Sequence, residues 1–240
     1  DGVPADVCGR LQEAVGQDPD HFAWIDDPAA ADVQVGTDSL PNARPFATWV
    51  YALVAPFFTL EDGVSSVDLR AAWNGEPAGP FADHPLLVSP DVQQALPLGA
   101  PADDLRIVES SEMLTQAIEL DGWAVVPFDA LEPRWKVLRI DGLSPLDRNL
   151  DLDAYPLATT LSVGSEDRPD ALSMLPVGVT NRDTEKMSVV MMTGVTALTR
   201  RTAVTMEREG VTFPGCDIRE WMIEPDITHT SNEVSFADDC

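Results

Sequence analysis

The sequence predicts an α/β protein, because short apolar segments typical of strands alternate with amphipathic segments typical of helices. The clearest strand is residues 49–55, which are rich in β-branched and aromatic side chains and are followed by Pro56. Further on, residues 105–108, 112–120 and 122–126 give a strand, a helix and a strand in succession. This repeated order favours a sheet with helices packed against it.

The elements of the first half can be justified one by one. Residues 6–15 place apolar side chains on one face of a short helix. Two short strands come next. They are followed by a helix whose cap is a serine at position 65 or 66, and then by a strand that leads into a helix with Pro90 in its first turn. The predicted ranges are strands at 21–25 and 32–36 separated by a turn at 27–31, the strand at 49–55, a helix ending at 73, a crossover at 76–84 and a strand at 85–89.

The second half continues the same alternation and then changes character. A strand is predicted at 135–140, and residues 155–163 are predicted to form an edge strand because of their early proline. Residues 164–186 have weak periodicity and are interpreted as a linker between a first domain at 1–163 and a second region at 187–240.

The second region is predicted to form a β-α-β unit. Residues 188–192 are interpreted as a buried strand that ends in a turn at Thr193 and Gly194, and Gly210 is placed to end the following helix. Asp217 is predicted to cap a second short helix, and residues 226–232 form the next strand. Such a unit covers only one side of a sheet, so it needs further strands or a neighbouring sheet.

The charge balance narrows the possible partners. The chain has 41 acidic and 15 basic residues, a net charge of -26, and such a charge repels nucleic acid phosphates and anionic lipid. No apolar run is long enough to insert into a membrane. This composition is typical of halophilic or wall-exposed proteins, and we predict an extracellular or cell-surface location.

The three cysteines are too few for a zinc site with paired spacing. Cys216 and Cys240 are predicted to form a disulfide, with buried free thiols as the alternative.

Candidate ligand-binding residues follow predicted strands or begin predicted helices, where backbone N–H groups face a ligand. The polar candidates are Thr37, Ser39, Ser89, Ser110, Ser111 and Asp129. Arg44 and Arg134 are predicted as anion partners because they lie near strand ends in an acidic chain. The alternative is that the serines and aspartates only cap helices and that both arginines lie on the surface.

Two segments resemble known families. Residues 123–146, followed by Tyr155-Pro156-Leu157, resemble type 2 periplasmic substrate-binding domains of the phosphate-binding-like kind. Residues 191–200 and 231–234 resemble the start of a CapA-type metallophosphatase-like domain, of the kind associated with capsule and poly-gamma-glutamate synthesis. The whole chain therefore resembles bacterial surface proteins that join these two modules. This resemblance implies a two-lobed α/β binding domain followed by a truncated metallophosphatase-like unit.

The chain departs from the CapA pattern at a position that matters for catalysis. The family has an aspartate metal ligand after the first strand's glycine, whereas this chain has Val195 after Gly194. A hydrocarbon side chain cannot coordinate a cation. Asn232 and Glu233 match family positions and His229 lies nearby, so these three are at most degenerate metal candidates. We therefore predict no metal and no cofactor here, with a divalent metal such as manganese in a full-length protein as the alternative.

Three functions remain open. The first is a non-catalytic, extracellular or cell-surface module that binds a small anionic or polar ligand and belongs to a CapA-like protein. The second is the front half of a metal-dependent phosphoesterase or polymer-processing enzyme. The third is a structural cell-surface or filament subunit that associates with other copies through open sheet edges.

Overall fold

The structure is a computed structural model that describes residues 2–37, 40–96, 98–175 and 178–232. The chain divides into two compact units, Asp1–Arg182 (unit 1) and Asp183–Cys240 (unit 2). No helix in the described ranges is both long enough and apolar enough to cross a bilayer.

Helices and strands alternate as predicted, and their bounds follow. Unit 1 contains α1 (Ala5–Gln17), β1 (Gln34–Gly36), β2 (Arg44–Pro56), β3 (Gly63–Val64), α2 (Ser66–Trp73), β4 (Leu86–Val88), α3 (Pro90–Ala95), β5 (Arg106–Ile107), α4 (Met113–Leu120), β6 (Trp123–Pro127), β7 (Trp135–Val137), β8 (Arg139–Ile140), β9 (Ala158–Gly164) and β10 (Val179–Thr180). Unit 2 contains β11 (Val190–Thr196), α5 (Arg201–Glu209), α6 (Arg219–Ile223) and β12 (Ile227–Asn232).

The long strand β2 organises the main sheet, whose order is β1-β9-β2-β6-β4-β5, with β7 and β10 also paired to β2. The first half of β2 pairs antiparallel with β9, and its second half pairs antiparallel with β6 and β7. Strand β4 runs parallel to both β5 and β6. Because one strand serves both halves, the mixed sheet is continuous and curls along β2. This architecture confirms the α/β prediction.

Both faces of the sheet are buried, which explains why β2 is apolar almost throughout. Side chains alternate along a strand, so Trp49, Tyr51 and Leu53 enter one core while Ala52 and Val54 enter the other. Helices α1, α2 and α3 contribute to the first core. Helix α4 contributes to the second.

Several local expectations are wrong. Residues 21–25 form no strand; Phe22 N donates to Asp18 O in a turn that follows α1. The segment predicted as an edge strand lies between β1 and β2, because Pro156 precedes β9 and does not interrupt its ladder. The strand expected at 135–140 is divided at Leu138, whose N–H donates to Leu53 O, into β7 and β8.

Most of the segment interpreted as a linker packs within unit 1. Ala171 and Leu172 are buried, and β10 pairs parallel with β2. Asn181 and Arg182 are also buried. Only 183–186 of the predicted linker fall outside unit 1. A Pro- and Gly-containing sequence can therefore be well packed when it lies along a sheet.

Unit 2 has the predicted β-α-β order but no buried residue among its described positions. Strands β11 and β12 pair in parallel, with α5 and α6 between them in sequence. The strand predicted to be buried is exposed, with Met192 at 76%. No turn follows Met192, since β11 continues through Gly194 to Thr196 with a register shift between Met192 and Val195. Gly210 ends α5 as predicted, whereas α6 follows Ile218 without a side-chain cap.

Candidate functional site

Four polar side chains converge where β4 and β6 end, and we call this group the Tyr51 site: Tyr51, Ser89, Asp91 and Asp129. Strands β4 and β6 are parallel and in register, so the chain leaves both at the same edge of the sheet. Tyr51 on β2 lies opposite Pro127, the last residue of β6. The carboxyl ends of neighbouring parallel strands are the usual position of ligand sites in α/β sheets.

Two hydroxyl groups at this site belong to nearly buried side chains and have no hydrogen-bond partner among the described residues. Tyr51 is 1% exposed and Ser89 is 2% exposed. Ser89 occupies the N-cap position of α3, but its side chain makes no capping hydrogen bond. The hydroxyl of Tyr51 also donates to no described residue, although its backbone carbonyl accepts from the hydroxyl of Tyr155. Neither hydroxyl oxygen is among the fully buried unpartnered atoms of the described residues, so both reach the surface, where water or a ligand can supply the missing partner.

The electrostatic environment keeps Tyr51 protonated. Burial raises the pKa of the Tyr51 hydroxyl well above its usual value, and the carboxylates of Asp129 and Asp91 raise it further. Both aspartate residues are exposed. The site therefore presents two neutral hydroxyl donors beside two carboxylate acceptors.

Asp129 is held in place by the interior of unit 1. Its Oδ1 accepts a hydrogen bond of 3.1 Å from Nδ2 of Asn181. Asn181 in turn is fixed by two hydrogen bonds to the backbone of Val50 on β2. The neighbouring Arg182 places its guanidinium 5.8 Å from the ring centre of Phe128 and donates to the carbonyls of Pro145 and Asp147. These contacts give Asp129 a defined position next to β6.

The structure brings together two of the predicted ligand-binding residues, Ser89 and Asp129. Thr37 is exposed just after β1. Arg44 begins β2, where its Nη2 donates to Leu175 O at 3.1 Å and its buried Nε has no partner in the described part of the chain. Ser39 lies outside the described residues.

The other predicted residues contact none of the Tyr51 site. Ser110 and Ser111 are exposed in the turn before α4, and Glu112 takes the N-cap position that the serines were expected to fill. Arg134 is exposed and forms an ion pair of 2.7 Å with Glu132, its near neighbour in sequence. The surface position of Arg134 agrees with its alternative interpretation, whereas neither Ser110 nor Ser111 takes the capping position that the alternative gave them.

Sequence reasoning missed Tyr51. It lies inside an apolar strand and was counted with the core. The available signal was its position as the one hydroxyl-bearing side chain in residues 49–55. A buried strand that contains a single phenol implies a nearby polar partner.

The described residues do not fit a metal centre. No group of three or more His, Cys, Asp or Glu side chains capable of holding an ion is found among them. His229 and Asn232 lie on β12, and Val195 faces Ser231 in register and is 66% exposed. Glu233 lies outside the described ranges. Val195 carries no oxygen or nitrogen donor.

Comparisons with known proteins support the fold and nothing finer. No protein-family model matches the chain, and no curated protein is similar to it. An ABC-type phosphate transport receptor from Vibrio cholerae is similar in structure, with a TM-score of 0.53, 11% identity, and coverage of 71% of this chain and 88% of that one. PstS from Borrelia burgdorferi gives a TM-score of 0.51 at the same identity and coverage. No similarity supports a CapA-like metallophosphatase domain. The chain therefore has a periplasmic-binding-protein-like α/β fold.

Proposed function

We propose that unit 1 is a non-catalytic module that binds a small polar ligand at the Tyr51 site. The observation that carries this proposal is the pair of hydroxyls of Tyr51 and Ser89, which reach the surface from nearly buried side chains and lack partners among the described residues where β4 and β6 end. A ligand with hydroxyl, amide or amine groups would supply the hydrogen-bond partners of both the Tyr51 and the Ser89 hydroxyl. Orientation by a few fixed polar groups is typical of small-molecule sites.

The charges at the site favour a neutral or amine-bearing ligand over a phosphate. The similar solved structures include a phosphate transport receptor. In this chain, however, Asp91 and Asp129 lie at the site, and Arg182 directs its donors to backbone carbonyls. A multiply charged anion would be repelled by both carboxylates. A small singly charged anion that carries hydroxyl groups is the remaining anionic alternative.

Isothermal titration calorimetry would test the proposal. The titrants are phosphate, sulfate and small carboxylates as anions, and sugars, polyols and amino acids as polar ligands. We expect heat from a polar ligand, and about fivefold to tenfold weaker binding in Tyr51→Phe and in Ser89→Ala, because each removes one hydrogen bond. Ser110→Ala, an exposed serine away from the site, is the matched control. Absence of heat with every titrant, or equal binding in all variants, would refute the proposal.

The association of unit 2 with a CapA-like protein of capsule or poly-gamma-glutamate synthesis remains a hypothesis. The parallel β11–β12 pair with α5 and α6 between its strands supports it. Val195 opposes a catalytic role. Manganese-dependent phosphatase activity of the full-length gene product would favour the enzyme alternative, and an inert full-length product would remove it.

An extracellular or cell-surface location and self-association also remain proposals. The acidic composition, with a net charge of -26, supports the first. The two-stranded sheet of unit 2 supports the second, because its outer edges pair with no described strand and such edges can pair with another copy. A stable monomer in size-exclusion chromatography would contradict self-association.

A further inference from the structure

An open groove lies beside β1, the terminal strand of the main sheet. The groove has a volume of about 780 Å³. Its walls come from α1, from residues 21–36 and from residues 168–175. The apolar side chains that matter here are Leu11, Val15, Phe22, Trp24, Val35 and Leu175.

The hydrogen-bonding pattern of β9 determines which way the β1 backbone faces. On the side of β9 that carries β2, Ser165 N donates to Pro41 O and Asn42 Nδ2 donates to Ser165 O. Val163 is two residues earlier and pairs with Arg44 on that same side. Pro45 lies opposite Ser162 and has no N–H, so it cannot donate a backbone hydrogen bond to Ser162. Residues 163 and 165 therefore direct their backbone groups toward β2.

The alternation of an antiparallel ladder then assigns the opposite side. Ser162 and Gly164 direct their backbone groups toward β1, where they pair with Gly36 and Gln34. Val35 lies between these two bonded pairs, opposite Val163. Its N–H and C=O consequently face away from β9 and into the groove. Among the described residues, the outer edge of β1 pairs with no strand.

A free strand edge beside apolar walls is the arrangement to which an extended peptide adds as a further strand. The backbone of the peptide bonds to the strand edge, and alternate side chains enter the apolar groove. The volume lies within the range of roughly 300 to 1,000 Å³ found for ligand clefts. A small metabolite would not provide hydrogen-bond partners for both the N–H and the C=O of Val35.

Charge indicates what kind of peptide fits. Asp26 and Asp32 line the groove, and the one arginine there, Arg168, has its own carboxylate partner in Asp170 at 3.7 Å. The chain as a whole carries a net charge of -26. Pairing between two copies of β1 would bring together two acidic molecules, which costs free energy. A partner segment with basic flanks is attracted instead.

We propose that the β1 groove binds an extended segment of another polypeptide, apolar at alternate positions and flanked by basic residues, which adds to β1 as a strand. The interaction is separate from the Tyr51 site, since none of the four residues of that site lines the groove. Ligand binding at the Tyr51 site and peptide binding in the groove can therefore be refuted independently of each other.

The probe is a synthetic peptide of about seven residues in which valine and threonine alternate between two terminal lysines. Binding is followed by calorimetry and by the fluorescence of Trp24, with Trp24→Phe used to assign the signal. We expect binding to the native chain and to Val35→Ala, which keeps the N–H. Val35→Pro removes that N–H and should weaken binding at least about tenfold relative to Val35→Ala.

Two further measurements keep the test decisive if Val35→Pro does not fold. The same peptide with N-methyl groups at alternate residues cannot complete the ladder and should bind at least about tenfold more weakly to the native chain. The Tyr51→Phe variant should bind the peptide unchanged. The proposal is overturned if the peptide does not bind, if the methylated and unmethylated peptides bind equally, or if only small amphipathic molecules bind. Concentration-dependent self-association that Val35→Pro abolishes would assign the groove to a second copy and would also overturn it.

Discussion

Asn181 completes the hydrogen bonding of Val50 in place of a neighbouring strand. The N–H of Val50 donates to Oδ1 of Asn181 at 2.9 Å, and Nδ2 of Asn181 donates to the carbonyl of Val50 at 2.9 Å. Strand β10 pairs with β2 only at Ala47 and Thr48, so the amide side chain extends that ladder beyond the end of β10. A primary amide can do this because it carries a donor and an acceptor side by side.

Replacing Asn181 with alanine should destabilise unit 1 strongly. Val50 is fully buried, so its N–H and C=O would both lose their partner without gaining water. We expect the free energy of unfolding to fall by about 3 kcal/mol, measured by urea denaturation. Asn149→Ala, at an exposed position, is the control and should change stability by no more than about 0.5 kcal/mol. Similar small effects in both variants would show that the two hydrogen bonds between Asn181 and Val50 contribute little to stability.

The two tyrosines should respond differently to the same substitution. The hydroxyl of Tyr155 donates to the carbonyl of Tyr51 at 3.0 Å in the core, whereas the hydroxyl of Tyr51 donates to no described residue. Tyr155→Phe should therefore lower the free energy of unfolding by about 1 kcal/mol. Tyr51→Phe should leave it unchanged or raise it slightly, while weakening ligand binding. A stability loss in Tyr51→Phe equal to that in Tyr155→Phe would contradict the assignment of a free hydroxyl.

Alkaline pH should destabilise unit 1 through the same two residues, which are the only tyrosines in the chain. Burial raises the pKa of Tyr51 and of Tyr155 well above the usual value of 10.0. Above pH 10 the unfolded chain releases both phenol protons and the folded chain keeps them, so unfolding becomes more favourable as the pH rises. Each tyrosine contributes a slope of up to about 1.4 kcal/mol per pH unit.

Urea denaturation of the native chain and of Tyr155→Phe between pH 9 and about 11.5 would measure this effect. The difference in stability between the two proteins should be constant below pH 10 and should shrink above it, because the variant has lost one of the two titrating groups. A difference independent of pH across this range would mean that Tyr155 titrates normally in the folded chain.

Much of unit 1 could be predicted because its strands are short apolar runs with clear ends. The segments at 85–89 and 122–126 correspond to β4 and β6. The helix starts at Ser65 or Ser66 and at Pro90 were predicted from capping chemistry, and Ser65 is the N-cap of α2. The start of β2 was missed because Arg44 and Pro45 lack the apolar pattern. Their extended conformation depends on pairing with β9, which lies far away in sequence.

The candidate site was predictable only in part, for the same reason. Ser89 and Asp129 follow predicted strands, and parallel pairing places the two strand ends together. Tyr51 enters the site from an antiparallel strand, and this register cannot be derived from periodicity. In unit 2, the run of valine and methionine predicted a buried strand, but β11 has no buried residue, because an apolar pattern does not specify what covers it.

Lys136 should hold the loop after β2 in its present conformation. Its Nζ donates to the carbonyls of Thr59 and Leu60 at 3.0 and 3.3 Å and lies 2.8 Å from a carboxylate oxygen of Asp62, whose pKa it lowers. This loop carries the exposed side chains of Phe57, Phe58 and Leu60, the last of which is 89% exposed. Without the lysine, the loop loses three contacts and has little burial to replace them.

Lys136→Met keeps most of the aliphatic chain and removes the ammonium. We expect chymotrypsin to cleave within residues 57–60 about tenfold faster than in the native chain, because cleavage requires local opening and the loop opens more easily. Lys186→Met is a matched control, since Lys186 is the only other lysine and forms an exposed pair of 2.9 Å with Asp183. Mass spectrometry of the fragments identifies the cut site. Equal cleavage in both variants would show that the ordered loop depends on its own turn, in which Thr59 N donates to Pro56 O, and not on Lys136.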